Sequence, residues 1–326
     1  MYGLCCPLEQ NGKGLFLSPT DYRNNYFISN NIERILEFYE GFGNREELIE
    51  WMRERPKGLP YVYEEEGDRE IIAVIPTADF NGKLALTCRE EVFKGVHIIF
   101  VESGVGNNYF NYAHNCNVGI MKTIEYNPKW VVVSNDDMVK KEEISVLREA
   151  LRSIDPSKVG IVYFYPNTDY HSKEISVSTV RKIRSAVNPL LPYSRRKAFN
   201  ILKKFKVKFF LSGDSFKDFI FFIRKFKFKN TISIKVYSAE MIKKFISRLG
   251  YFYDEMYVNC GEEGDLALRI QRSGWGGEVA NFKIWPLIGS SFGNSDSRYL
   301  RDQVGNIYFS KKLEDEGYAL QVLVTP

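Results

Sequence analysis

The chain has 326 residues, of which 44% are hydrophobic and 26% charged, with a formal net charge of +4. This is the balance of a soluble globular protein, long enough for one large α/β domain or two smaller ones. No apolar run reaches the length needed to cross a bilayer, and Met1-Tyr-Gly-Leu-Cys5 does not begin a signal peptide, so the expected location is cytoplasmic or peripheral on a membrane.

The five cysteines (Cys5, Cys6, Cys88, Cys116 and Cys260) lack paired metal-finger spacing and read as reduced thiols. His97, His114 and His171 are too scattered for a histidine-based metal site. The charge is unevenly spread. Between Arg195 and Lys229 lie 12 Lys/Arg, 2 Asp and ten Phe, while the remainder holds 33 basic and 39 acidic residues.

In chain order, residues 1–70 form an N-terminal extension. Asn30 is placed to cap a helix through about Tyr39, and Asn44 another through about Arg53. Arg55-Pro-Lys-Gly-Leu-Pro60 breaks the pattern, and Glu64-Glu-Glu-Gly-Asp68 reads as a solvated turn. The core begins with Ile71-Ile-Ala-Val-Ile-Pro76, an apolar run expected to be a buried parallel strand. Asn81 to Phe93 is an expected helix, Val96 to Val101 a strand, Asn111 to Thr123 a helix and Trp130 to Val133 a strand. Lys141 to Arg152 reads as an amphipathic helix and Val159 to Tyr165 as another strand. This alternation implies right-handed βαβ units and a sheet covered on both faces. Later, Ile232 to Val236 reads as a strand, and Ala239 to Leu249 and Glu263 to Gln271 as helices.

The most informative stretch is Trp130-Val-Val-Val-Ser-Asn-Asp-Asp-Met138. A buried strand delivers Asn135, Asp136 and Asp137 to its own carboxyl edge, where open α/β sheets bind ligands. Carboxylates there suit a hard cation, Mn²⁺ or Mg²⁺, that can hold a diphosphate. An Asn/Asp turn after a strand is the plainer alternative.

Several motifs in order resemble the inverting nucleotide-sugar glycosyltransferases of the GT-A fold, in the large family 2 that includes rhamnosyltransferases. They are Val74-Ile-Pro-Thr77, Ile99-Phe-Val-Glu-Ser-Gly104, Ala113-His-Asn-Cys-Asn-Val-Gly-Ile120, Asn135-Asp-Asp137, and Gly250-Tyr-Phe-Tyr-Asp-Glu-Met-Tyr257 followed by Gly261-Glu-Glu-Gly-Asp-Leu-Ala-Leu-Arg269. The resemblance covers residues 70 to 310. It implies a Rossmann-like, mostly parallel sheet flanked by helices, with the N-terminal helical extension and a basic helical insertion. Within the transferase domain at 71–310, residues 71–165 would form the nucleotide-sugar half and 166–310 the acceptor half, with 311–326 as a tail.

The resemblance implies a UDP-, GDP- or dTDP-sugar donor and a glycan, lipid-linked or protein acceptor. Pro76, Thr77, Glu102, Asn117 and Asp136 would meet the donor, and Arg298 or Arg301 a phosphate. Asp137, with Asn135, would hold the metal. Glu263 aligns with the general base, flanked by Glu262 and by Asp265, which also stands four residues before Arg269 for a helical ion pair. Acids at a helix start also suit the helix dipole without any catalytic part.

The sequence departs from the family in four places. Glu102 and Glu263 replace Asp, Cys116 stands where Arg is common, and Trp285-Pro-Leu-Ile-Gly-Ser-Ser-Phe292 lacks the usual His. These departures keep open a non-catalytic module, on a decayed transferase fold, that binds lipid or nucleic acid. A nucleotidyltransferase would need a Gly-rich phosphate loop, which Thr77-Ala-Asp-Phe-Asn-Gly-Lys83 does not supply. The Phe- and Lys-rich segment 195–229 fits an anionic membrane surface. It also fits amphipathic helices packing their Phe on the core. A single-stranded nucleic acid is the least favoured partner of the three.

Overall fold

The computed structural model describes residues 19–164, 197, 200–205, 234–258, 260–287 and 296–315. The chain opens with helices α1 (Pro19–Phe27), α2 (Ile32–Glu40) and α3 (Arg45–Glu54). Asn44 caps α3 as its sequence suggests, accepting the Glu47 N–H at 2.9 Å. The cap of α2 is Asn31 rather than Asn30, its side-chain oxygen accepting the Glu33 N–H at 2.9 Å.

There follow β1 (Tyr61–Glu65), β2 (Asp68–Thr77), α4 (Lys83–Thr87), β3 (Val96–Glu102), α5 (Tyr112–Ile124), β4 (Trp130–Ser134), β5 (Met138–Lys140), α6 (Ile144–Arg152) and β6 (Val159–Phe164). After the described turn Lys203–Phe205 come β7 (Ile234–Ser238), α7 (Ala239–Leu249), α8 (Glu262–Arg272), β8 (Gly276–Ala280), β9 (Ile284–Pro286) and α9 (Asp296–Asp315).

Seven strands form one mixed sheet in the order β1-β3-β2-β4-β7-β6-β8, and β5 pairs with β9 in a small second sheet. β2 is parallel to β3 and β4, and β6 to β8, whereas β1 and β7 run against their neighbours. The protein is therefore α/β, with a mixed sheet flanked by helices.

The pleat sorts the apolar runs between two cores. Ile71, Ala73, Ile75, Val132 and Val236 face α6 with Leu147 and Leu151. Ile72, Val74, Val131, Val133 and Tyr237 face α5, α7 and α8. Gly119 lets α5 settle on the sheet, because a Cβ there would run into Val74 and Val101. A third core joins α1, α2 and α3 to α9 through Phe38, Trp51, Leu300 and Ile307.

Two expectations need correction. Glu64 and Glu65 are not in a solvated turn. They end β1, which pairs with β3 along the sheet edge. Its residues are exposed on both faces, so it carries no burial pattern to read, and its acids suit an edge that must not recruit another strand. The expected helix at 81–93 breaks after Thr87 into a wider turn, Cys88–Val92, in which the Phe93 N–H reaches back to the Cys88 carbonyl at 2.8 Å.

Part of the basic segment is described. Leu202 and Phe205 are buried in the third core, and the Lys204 ammonium donates to the Phe42 carbonyl at 2.6 Å. Here the packing reading holds, and burial lowers the Lys204 pKa. Residues 206–229 lie outside the described residues. No helix among the described residues is long and apolar enough to cross a membrane.

Candidate functional site

The carboxyl ends of β2, β3, β4, β6 and β8 share one edge of the sheet, and the reversed strand β7 brings its amino end there. Pro76 and Thr77 close β2, with Thr77 in register with Glu102 of β3. The Thr77 hydroxyl donates to Asp136 Oδ2 at 2.7 Å, tying the end of β2 to the acidic turn after β4. The Cys88 thiol, at the start of the wide turn after α4, donates to the Asp136 carbonyl at 3.1 Å. Burial raises the Asp136 pKa and the neighbouring Asp137 adds to it, while the Thr77 hydroxyl works against both.

Asp137 is buried, and its carbonyl accepts the Leu287 N–H at 2.7 Å beside the β5–β9 pair. Asn135 is half-buried at the head of the turn. Thr77, Asn135, Asp136 and Asp137 are thus brought together. Glu102 joins this edge, its carboxylate accepting the Phe80 N–H at 2.9 Å, and Phe80 stacks on Tyr63 with ring centres 4.3 Å apart.

Two residues expected at the donor are committed elsewhere. Asn117 donates to the Tyr253 carbonyl at 2.8 Å and to Glu255 at 2.9 Å, and accepts the Tyr253 N–H at 2.8 Å. It pins the loop 250–257 to α5. Arg301 donates to the Ile28 carbonyl at 3.0 Å, joining α9 to the residues after α1. Arg298 lies half-buried in the first turn of α9.

The first turn of α8 carries Glu262, Glu263 and Asp265. They point to three environments. Glu262 is buried, and desolvation, reinforced by the charge of Glu263, pushes its carboxyl up to about 7. Glu263 stays partly open and meets Lys235 of β7 at 2.6 Å. Asp265 turns inward, bonding Arg269 at 2.8 Å, four residues on, and Lys312 of α9 at 2.8 Å. Lys312 also holds Asp254 at 2.8 Å. Asp265 is therefore a structural anchor of the helix start.

Neutral phenols surround this turn. Burial holds the Tyr112, Tyr237 and Tyr253 hydroxyls far above their ordinary range, and burial together with Glu263 pushes Tyr163 up to about 12. Tyr237 and Tyr253 bond each other through their hydroxyls at 3.0 Å.

Sequence reasoning missed Lys235 and Lys312. Lys235 had a signal, being a cation inside Ile234-Lys-Val236 of an expected strand, and that strand, β7, is interior to the sheet.

In comparisons with known proteins, no family model matches this chain, and no curated protein matches it.

Proposed function

We propose that the chain is an inverting glycosyltransferase of the GT-A type, moving a sugar from a nucleoside diphosphate to an acceptor hydroxyl. One juxtaposition carries the reading. The acidic turn Asn135–Asp137 ends β4, and the adjacent strand β7 carries the lysine that pairs with Glu263. On this reading the leaving-group site and the proton acceptor share one edge of the sheet.

The donor set at the turn is all oxygen, which suits Mn²⁺ or Mg²⁺. Asp137, with Asn135, would hold the ion, and Asp136 is steadied by Thr77. Among the described residues no group of three or more His, Cys, Asp or Glu could hold a metal ion, so diphosphate oxygens and water would complete the shell. When bound, such an ion offsets the charge growing on the leaving diphosphate.

Glu263 takes the proton from the attacking hydroxyl, since its partly open carboxylate can meet an acceptor. Glu262, buried, does not. Thr77 and Glu102 border the nucleotide end of the edge, and Arg298 stands on α9 for a phosphate.

The test is release of nucleoside diphosphate from a panel of UDP-, GDP- and dTDP-sugars with Mn²⁺. Asp137→Ala should abolish metal-dependent donor binding in calorimetry with the circular dichroism unchanged. Glu263→Gln should keep donor binding and lose transfer by about 10²–10⁴-fold. Wild-type turnover in either variant would overturn the assignment.

A further inference from the structure

Lys235 occupies an improbable place. It lies on β7, an interior strand, in register with Val133 of β4. Its face of the sheet is otherwise the apolar and aromatic floor of the core shared with α5, α7 and α8. Its side chain is 17% exposed. A cation in such a position has to be paired, and an apolar residue of similar size there is often as stabilising or more so. Stability alone does not account for a lysine here.

Its partner is Glu263 Oε1, at 2.6 Å. No other ion pair is made by Glu263 among the described residues. The other titratable groups around it are Glu262, which is buried beside it on α8, the phenols of Tyr163 and Tyr237 from β6 and β7, Tyr253 from the loop 250–257, and Tyr112 and Cys116 from α5, while Asp302 of α9 faces Glu262. The phenols and the thiol are held neutral by burial, so Lys235 is the cation set against two adjacent carboxylates.

We infer that Lys235 is a positioning residue. It fixes the Glu263 carboxylate through Oε1, leaving Oε2 to face the acceptor. This rests on the glycosyl-transfer reading for its consequence but not for its geometry. A partly open glutamate at a helix start would otherwise sample several rotamers, and a proton acceptor must be in place before its basicity matters.

The experiment compares wild type with Lys235→Met and Lys235→Arg. Carboxyl ¹³C NMR at neutral pH, with Glu263 assigned through Glu263→Gln, reads the surroundings of its carboxylate without any substrate. Lys235→Met removes the ammonium in contact with Oε1, so the Glu263 resonance should move. Lys235→Arg should stay near wild type. In transfer assays with the active donor, Lys235→Met should lose at least tenfold in kcat with the donor KM unchanged. Lys235→Arg should recover most of the rate.

An unmoved Glu263 resonance in Lys235→Met overturns the inference. So does a moved resonance with undiminished kcat in an active enzyme. If wild type turns over no donor, the transferase reading falls, and the NMR arm alone then decides whether Lys235 governs Glu263. Should Lys235→Met fail to fold, Lys235→Gln carries the same expectations.

Discussion

Replacing Glu262 with Gln should change how stability depends on pH, and the size of the effect can be worked from its surroundings. Glu262 begins α8 with 8% of its surface exposed, and its carboxyl is pushed from 4.5 up to about 7, chiefly by burial and then by Glu263. The folded state therefore holds this proton more tightly than the unfolded chain does. Below pH 4.5 both states are protonated and the group is neutral to stability. As pH rises towards 7 the unfolded state loses its proton first, and unfolding becomes easier across that window. Above pH 7 the penalty is constant.

A gap of about 2.5 units at about 1.4 kcal/mol each gives on the order of 3 kcal/mol. Gln keeps the shape and removes the titration. The variant should match wild type at pH 4.5 and be about 3 kcal/mol more stable at pH 8. Urea denaturation at half-unit steps of pH reads this directly. Titrating groups away from Glu262 are common to both proteins and cancel in the difference. Two curves that stay parallel from pH 4.5 to 8 would refute the burial argument, because Glu262 would then titrate as an ordinary surface acid.

Gly305→Ala on α9 would drive its Cβ into the Cys260 carbonyl just before α8, so a loss of about 1–3 kcal/mol in thermal or urea unfolding is expected. A neutral result would mean the two segments can part freely. Lys312→Met leaves Asp254 and Asp265 facing each other without their shared ammonium, and about 3–5 kcal/mol should be lost at pH 7. Recovery at a pH low enough to protonate the acids is the check. Lys206, Lys208, Lys225 and Lys227 replaced by Glu should abolish co-sedimentation with anionic vesicles at low salt, if segment 195–229 meets a membrane at about 1 kcal/mol per cation. Absence of wild-type sedimentation would leave its Phe residues to the core, as Phe205 already is.

The strands β2, β3 and β4 were legible because they are buried on both faces, and continuous apolar runs in an α/β chain have little else to be. β1 was not, because an edge strand exposed on both faces has no period to detect. The acidic turn was legible as a candidate since its residues are contiguous. Its tie to Thr77 was not, because that bond spans 59 positions. The same holds for Asn117, whose partners lie about 136 positions away. Local chemistry proposed a donor contact for it, and tertiary packing uses its whole amide. Asp265 and Arg269 were readable, because helical spacing alone brings them together. Lys312, which completes that pair, comes from another helix.

These longer links explain how the N-terminal helices, through α9, bear on a site they do not enter. A buried ionic network is weak evidence for stability, since desolvation offsets much of its attraction. Its directional bonds nevertheless admit few arrangements. Asp265, Lys312 and Asp254 fix the first turn of α8 against α9 and the loop 250–257. Gly261, at φ +106, turns the chain into α8 beneath Gly305. α9 is held in turn by the Tyr39 hydroxyl on the Leu300 carbonyl at 2.5 Å, and by Arg45 of α3 on Glu314 at 2.9 Å. The direction of the Glu263 carboxylate is thus set from two sides, by Lys235 of the sheet and by a helix anchored in residues 19–54. On the transfer reading proposed above, the two contacts act on different parts of the same arm: Lys235 meets the carboxylate itself, and the α9 anchor holds the helix start that carries it.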